Sequence, residues 1–125
     1  MKPAPPRPSP RYTENLARYE RLVATNRQIE RKGATMPYTS VNGHMFSLLT
    51  RDGTLVLRLS AADRDAFLKK HQTPVVKLYG AVMKDYVEVP DALLARPASL
   101  KKFFDASYRH VSALKPKPTA KRKAR

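Results

Sequence analysis

Between Thr35 and Leu59 the chain reads TMPYTSV-NG-HMFSLLT-RDG-TLVLRL, and the two glycine turns inside that stretch restrict the fold more than any other feature. Asn42-Gly43 is a two-residue hairpin signal, because a type I′ turn needs positive φ at both central positions and these two residues tolerate it. Arg51-Asp52-Gly53 is a second reversal, with Gly53 free to take the left-handed conformation that a three-residue hairpin loop needs. Three strand-like runs joined by two short turns make an antiparallel meander. In the third run Leu55, Leu57 and Leu59 face one way, and Val56 and Arg58 the other, the period of a sheet covered on one face. The middle run is apolar on both faces, with Phe46 and Leu48 on one and Met45 and Leu49 on the other. It reads as a central strand with apolar surface left over, and a homodimer is expected to cover it.

The flanking segments supply helices and one more hairpin. Residues 1–10 hold five prolines and almost nothing to bury, and are expected to be a disordered arm. Ser9 with Pro10 at the first position, or Thr13 slightly later, caps a helix expected to run to about Lys32. Leu16, Tyr19, Leu22, Val23, Asn26 and Ile29 form its stripe, and Gly33 reads as its stop. Arg18, Arg21, Arg27 and Arg31 lie off the stripe and read as a solvated face. Ser60 caps a short helix that buries Phe67 and Leu68 and ends near His71, with Pro74 barring its continuation. Val75–Leu78 and Val82–Val89 read as two strands broken at Tyr79-Gly80, the second of them an outer strand. Pro90 and Asp91 begin a helical turn through Leu94. Pro97 or Ser99 begins a longer helix whose apolar positions are Leu100, Phe103, Phe104, Ser107, Tyr108, Val111 and Leu114. The expected class is α+β: a β-meander and a second hairpin forming an antiparallel sheet, covered by N-terminal, middle and C-terminal helices.

Charge narrows the partners. The 125-residue chain carries +15, distributed as +5 over residues 1–35, +4 over 36–114 and +6 over 115–125. The middle, 11–114, is thus one mildly basic domain, followed by a tail at 115–125 expected to be disordered. Lys115, Lys117, Lys121, Arg122, Lys123 and Arg125 in that tail have no aromatic neighbour for base stacking. They are candidate nucleic-acid-binding residues able to contact DNA or RNA phosphates without reading sequence. No cysteine is present, which excludes disulfides and thiolate chemistry. The first residues lack the apolar run of a signal peptide and no stretch is long enough to span a bilayer, so a cytoplasmic location without membrane contact is expected.

The order helix, meander, helix, hairpin, two helices resembles the N-terminal domain of the TfoX/Sxy family. The resemblance covers roughly Asn15 to Leu114. It rests on Met36 after the first helix, the NGHMFSLLTRDGTLVLRLS run, the DRDAFL helix, and Asp85-Tyr86-Val87-Glu88-Val89-Pro90 followed by Asp91-Ala92-Leu93-Leu94. It implies an α/β unit without known catalysis, in a family associated with regulation of competence genes. The family's usual Met-Phe-Gly-Gly opening reads Met36-Pro37-Tyr38-Thr39 here, and a short basic tail stands where the longer regulators carry a helical second domain. The fold is what transfers most directly.

No catalytic, cofactor or metal constellation is apparent. His44, His71 and His110 fall on separate elements without metal-ligand spacing. Asp63 and Asp65 diverge on their helix and suit its dipole, while Ser47 and Ser60 lack a nucleophile elbow. The leading expectation is therefore a non-enzymatic regulatory or interaction module with a protein or nucleic-acid partner. One alternative is a non-specific nucleic-acid-associated protein acting through its tail. Another is a small-molecule or catalytic cleft lined by Tyr38, His44, Tyr79 and Tyr86.

Overall fold

A computed structural model describes residues 9–33, 36–78 and 80–116. The meander is present as strands β1 (Tyr38–Val41), β2 (His44–Leu49) and β3 (Leu55–Arg58). Asn42 and Gly43 take φ of 55° and 79°, the pair of positive values their turn demands. Helix α2 (Ala61–His71) follows, then the two-residue strands β4 (Lys77–Leu78) and β5 (Ala81–Val82), strand β6 (Tyr86–Val89), and helices α3 (Asp91–Leu94) and α4 (Pro97–Ser112). Helix α1 (Pro10–Ala24) precedes the sheet. The sheet order is β1-β2-β3-β6, antiparallel throughout, while β4 and β5 pair only with each other. The class is the α+β one that the sequence implies.

Two elements depart from sequence periodicity. Helix α1 stops at Ala24 rather than near Lys32. Thr25 turns its hydroxyl back to the Leu22 carbonyl at 2.7 Å, and the Asn26 side chain accepts from the Gln28 amide at 2.9 Å. Such local side-chain bonds compete with helix propagation. Ile29 reaches the core from the loop instead. The run Val82–Val89 is also two strands, because β5 pairs with β4 and β6 with β3, so the chain changes partner at Met83–Asp85.

The central departure is a bulge in β2. Thr39 faces Ser47 and Ser40 faces Met45, which leaves Phe46 as an extra residue. The extra residue breaks strict alternation. Phe46, Ser47 and Leu49 face the helices, while Met45 and Leu48 lie on the other side, where Leu48 packs with Val56 and Val76. The alternation expected from the sequence, with Phe46 beside Leu48, is thereby corrected. Val76, itself buried, and Met83 pack on that second face, so this chain itself supplies cover for the apolar surface of the middle strand.

Inside, Phe46 meets Phe104 and Tyr108 of α4, each at 5.8 Å between ring centres. Its neighbour Ser47 is hydrogen-bonded to Tyr19 of α1 at 2.6 Å and to Thr39 of β1 at 2.5 Å. Burial pushes the Tyr19 hydroxyl up to about 12, partly offset by the Ser47 hydroxyl and then that of Thr39 beside it. On α4 the small side chain of Ser107 lets the helix approach β3 closely enough for its hydroxyl to donate to the Arg58 carbonyl.

A polar clasp closes one end of this core. Arg11 donates from Nε and Nη2 to the two Asp91 oxygens at 2.8 and 3.0 Å, and from Nη1 to the Asp52 carbonyl at 2.6 Å. Fully buried Asn15 donates to the Gly53 carbonyl at 2.8 Å and to Asp91 at 3.1 Å. Gly53 has φ of 91°, and a Cβ there would lie 3.0 Å from the Tyr12 Cα, so α1 can rest on the turn only where no side chain exists. Hydrogen bonding to Arg11, then to Asn15, holds the Asp91 carboxyl below the usual carboxylate range despite partial desolvation.

Two outcomes follow for unfolding experiments. Ser47→Ala strands two buried hydroxyls and should cost about 1–3 kcal/mol in urea unfolding. Adding Tyr19→Phe and Thr39→Val removes the stranded groups and should restore part of that loss; a triple variant less stable than Ser47→Ala would contradict the account. Because the folded pKa of Asp91 is depressed, its contribution is present above its ordinary 3.8 and is lost as pH falls through the folded value. Its Arg11 partner is 43 % exposed, so screening limits the pair. Asp91→Asn should therefore cost about 1 kcal/mol at pH 7 and converge with the parent stability in strong acid.

Candidate functional site

The tail residues lie mostly outside the described part of the structure. Lys117, Lys121, Arg122, Lys123 and Arg125 fall beyond residue 116. Lys115 is exposed, and its carbonyl accepts from His44 Nε2–H at 2.8 Å. Asn42 adds a bond from its side chain to the Ser112 carbonyl at 2.9 Å, so the β1–β2 turn fixes the direction in which the chain leaves α4.

The other sequence candidates do not converge. His44 starts β2, His71 ends α2 against Phe67 with ring centres 4.6 Å apart, and His110 sits on α4. Among the described residues no group of three His, Asp or Glu side chains is placed to hold a metal. Tyr79 is outside the described residues. Tyr86 donates to the Met45 carbonyl at 2.6 Å, and its hydroxyl is pushed up mainly by desolvation. It lines a cleft of about 350 Å³ beside α2 with Arg64 and Asp65, without Tyr38 or His44. The mixed-charge cleft of about 370 Å³ at the β2–β3 turn sets Arg51 and Lys77 against Asp52 and Glu88. Burial, then the Asp52 charge, pushes the Glu88 carboxyl up, while the Thr50 hydroxyl lowers that of Asp52.

A different arrangement occurs where α2 ends and α4 begins. Lys70 and His71 from the last turn of α2, with Arg96, Ser99, Lys102 and Phe103 from the start of α4, line a cleft of about 440 Å³. Its wall is aromatic and firmly packed. Phe103 stands edge-on to buried Phe67 at 5.3 Å, and the Lys102 ammonium lies 5.8 Å from the Phe103 ring centre. No carboxylate lines this cleft, whereas Asp52 and Glu88 line the cleft at the β2–β3 turn and Asp65 the cleft beside α2. Lys70, Arg96 and Lys102 form no ion pair among the described residues, while adjacent Lys101 pairs with Asp105 at 2.7 Å.

Sequence reasoning passed over this cleft because its cations come from helices far apart in the chain. The doublets Lys69-Lys70 and Lys101-Lys102 were the available signal, and each alone reads as a solvated helix face.

No helix among the described residues is long and apolar enough to cross a membrane. No curated protein matches the chain. A family model described as the TfoX N-terminal domain matches residues 39–111, from β1 to the last turn of α4. The match leaves out α1, although Tyr19 and Leu22 of that helix are fully buried in the shared core. It includes both sides of the basic cleft and spans more than half of the sequence, and on that evidence the chain belongs to the TfoX N-terminal domain family.

Proposed function

We propose that this protein is a non-catalytic regulatory or interaction module that works in the cytoplasm in association with nucleic acid. The family match is the observation that carries the regulatory reading. The nucleic-acid part is supported by the six cations and absent acids of residues 115–125, which follow directly from α4. Flexible Lys and Arg side chains neutralise phosphates and release counterions, giving affinity without base readout. In this reading the folded domain supplies a surface for a protein partner and the tail keeps it near a polyanion.

The test is binding of the full chain to mixed-sequence duplex DNA across a salt series, beside a variant with all six tail cations changed to Gln. If about four phosphates are neutralised by the tail, log K should fall with log salt at a slope near about −3.6, and the variant should lose most of that slope. Equal affinity and slope for both proteins would remove the tail from the account. Absence of duplex binding by the full chain at low salt would remove nucleic acid.

A further inference from the structure

Opposed helix ends meet at the α2–α4 cleft, and the charge placed there favours only one of them. A helix dipole favours cations at the C-terminus and anions at the N-terminus. Lys70 and His71 in the last turn of α2 satisfy that preference. Arg96 does not. Arg96 is the N-cap of a 16-residue helix that has no acidic residue in its first turn and no side-chain capping bond. Arg96 thus stands at the positive end of α4, with Lys102 in the following turn, Lys70 across from them and no carboxylate in the lining. A rule of local stability broken at Arg96 inside a concave site, with no ion pair to offset it among the described residues, is the pattern expected where function sets the residues.

We infer that this cleft binds a phosphate group. The Arg96 guanidinium offers a planar fork for two phosphate oxygens, Lys70 and Lys102 add point charges from either side, and Ser99 offers a hydroxyl. Phe103, edge-on to buried Phe67, forms one wall of the cleft, and the Lys102 ammonium lies 5.8 Å from its ring centre. The phosphate belongs either to a nucleic-acid backbone or to a free phosphorylated small molecule. The cleft does not depend on the tail reading, since the 16 residues of α4 separate the two ends by about 24 Å.

The probes are inorganic pyrophosphate, followed by calorimetry, and mixed-sequence duplex DNA, followed by fluorescence anisotropy, both with the full chain. Arg96→Gln with Lys102→Gln should weaken pyrophosphate binding about tenfold or more, as expected for lost charge-assisted bonds. Lys70→Gln, on the opposite helix, should weaken it separately, and Lys84→Gln, outside the cleft, should leave it unchanged. Circular dichroism and thermal unfolding check that each variant folds; if the double variant does not, Lys70→Gln alone decides. If the double variant also reduces the duplex salt slope by about one per cation removed, the phosphate is a nucleic-acid backbone. If duplex binding is untouched while pyrophosphate binding is lost, the ligand is a small phosphorylated molecule. No saturable pyrophosphate binding up to about 10 mM, or binding indifferent to these substitutions, overturns the inference. The tail variant should keep its pyrophosphate site even if it loses duplex, so the two readings fail separately.

Discussion

One extra residue in β2 decides how the helices attach to the sheet. With Phe46 bulged, two consecutive side chains turn toward the helices, which an unbroken strand could not do. Phe46 then anchors α4 through Phe104 and Tyr108, and Ser47 anchors α1 through Tyr19. Apolar packing and a satisfied hydroxyl network therefore meet at adjacent positions of one strand. The same shift sends Leu48 to the second face, where Val76 closes over it. Both faces of the central strand are thus covered, one by helices and the other by Val76 and Met83.

That arrangement sets α4 in place as the element on which the functional surface depends. Its middle is committed to the core through Leu100, Phe104, Ser107 and Val111, all buried. Its two ends are left for other work. The first turns meet the C-terminus of α2 and gather unpaired cations in a cleft. The last turn is tied to the β1–β2 turn by Asn42, and His44 donates to the Lys115 carbonyl just beyond it, where the basic segment begins. In the proposed reading, the cationic groups at both ends of this one helix hold an anionic partner.

What the sequence reveals here is local, and what it conceals depends on partners. The Asn42-Gly43 turn, the Gly53 turn, the caps at Ser9 and Ser60, and Pro97 at the head of α4 are readable because each is fixed by its own backbone requirement. The bulge is not readable, because it exists only in the register of β2 against β1. The division of Val82–Val89 is hidden for a related reason: the alternating pattern runs on across a point where the chain leaves β4 as partner and joins β3. Asn15, four residues before buried Tyr19, is a polar residue on the inward face of α1, a position that asks for a buried partner, and Gly53 and Asp91 supply it. The basic cleft needed the tertiary meeting of Lys70 with Arg96 and Lys102, which no sequence window contains.

The central claim is that the sheet–helix core is scaffold and that the two ends of α4 are the working surface. Backbone amide chemical-shift mapping of the isotope-labelled full chain, titrated separately with pyrophosphate and with mixed-sequence duplex DNA at fixed ionic strength, tests it most directly. The account predicts saturable shifts at Lys70, His71, Ala98, Ser99 and Lys102 with pyrophosphate and in residues beyond Leu114 with duplex, with the β2–β3 turn and its Arg11–Asp91 clasp unmoved by either. Shifts centred on that turn or on β4–β5, with both ends of α4 silent, would contradict it.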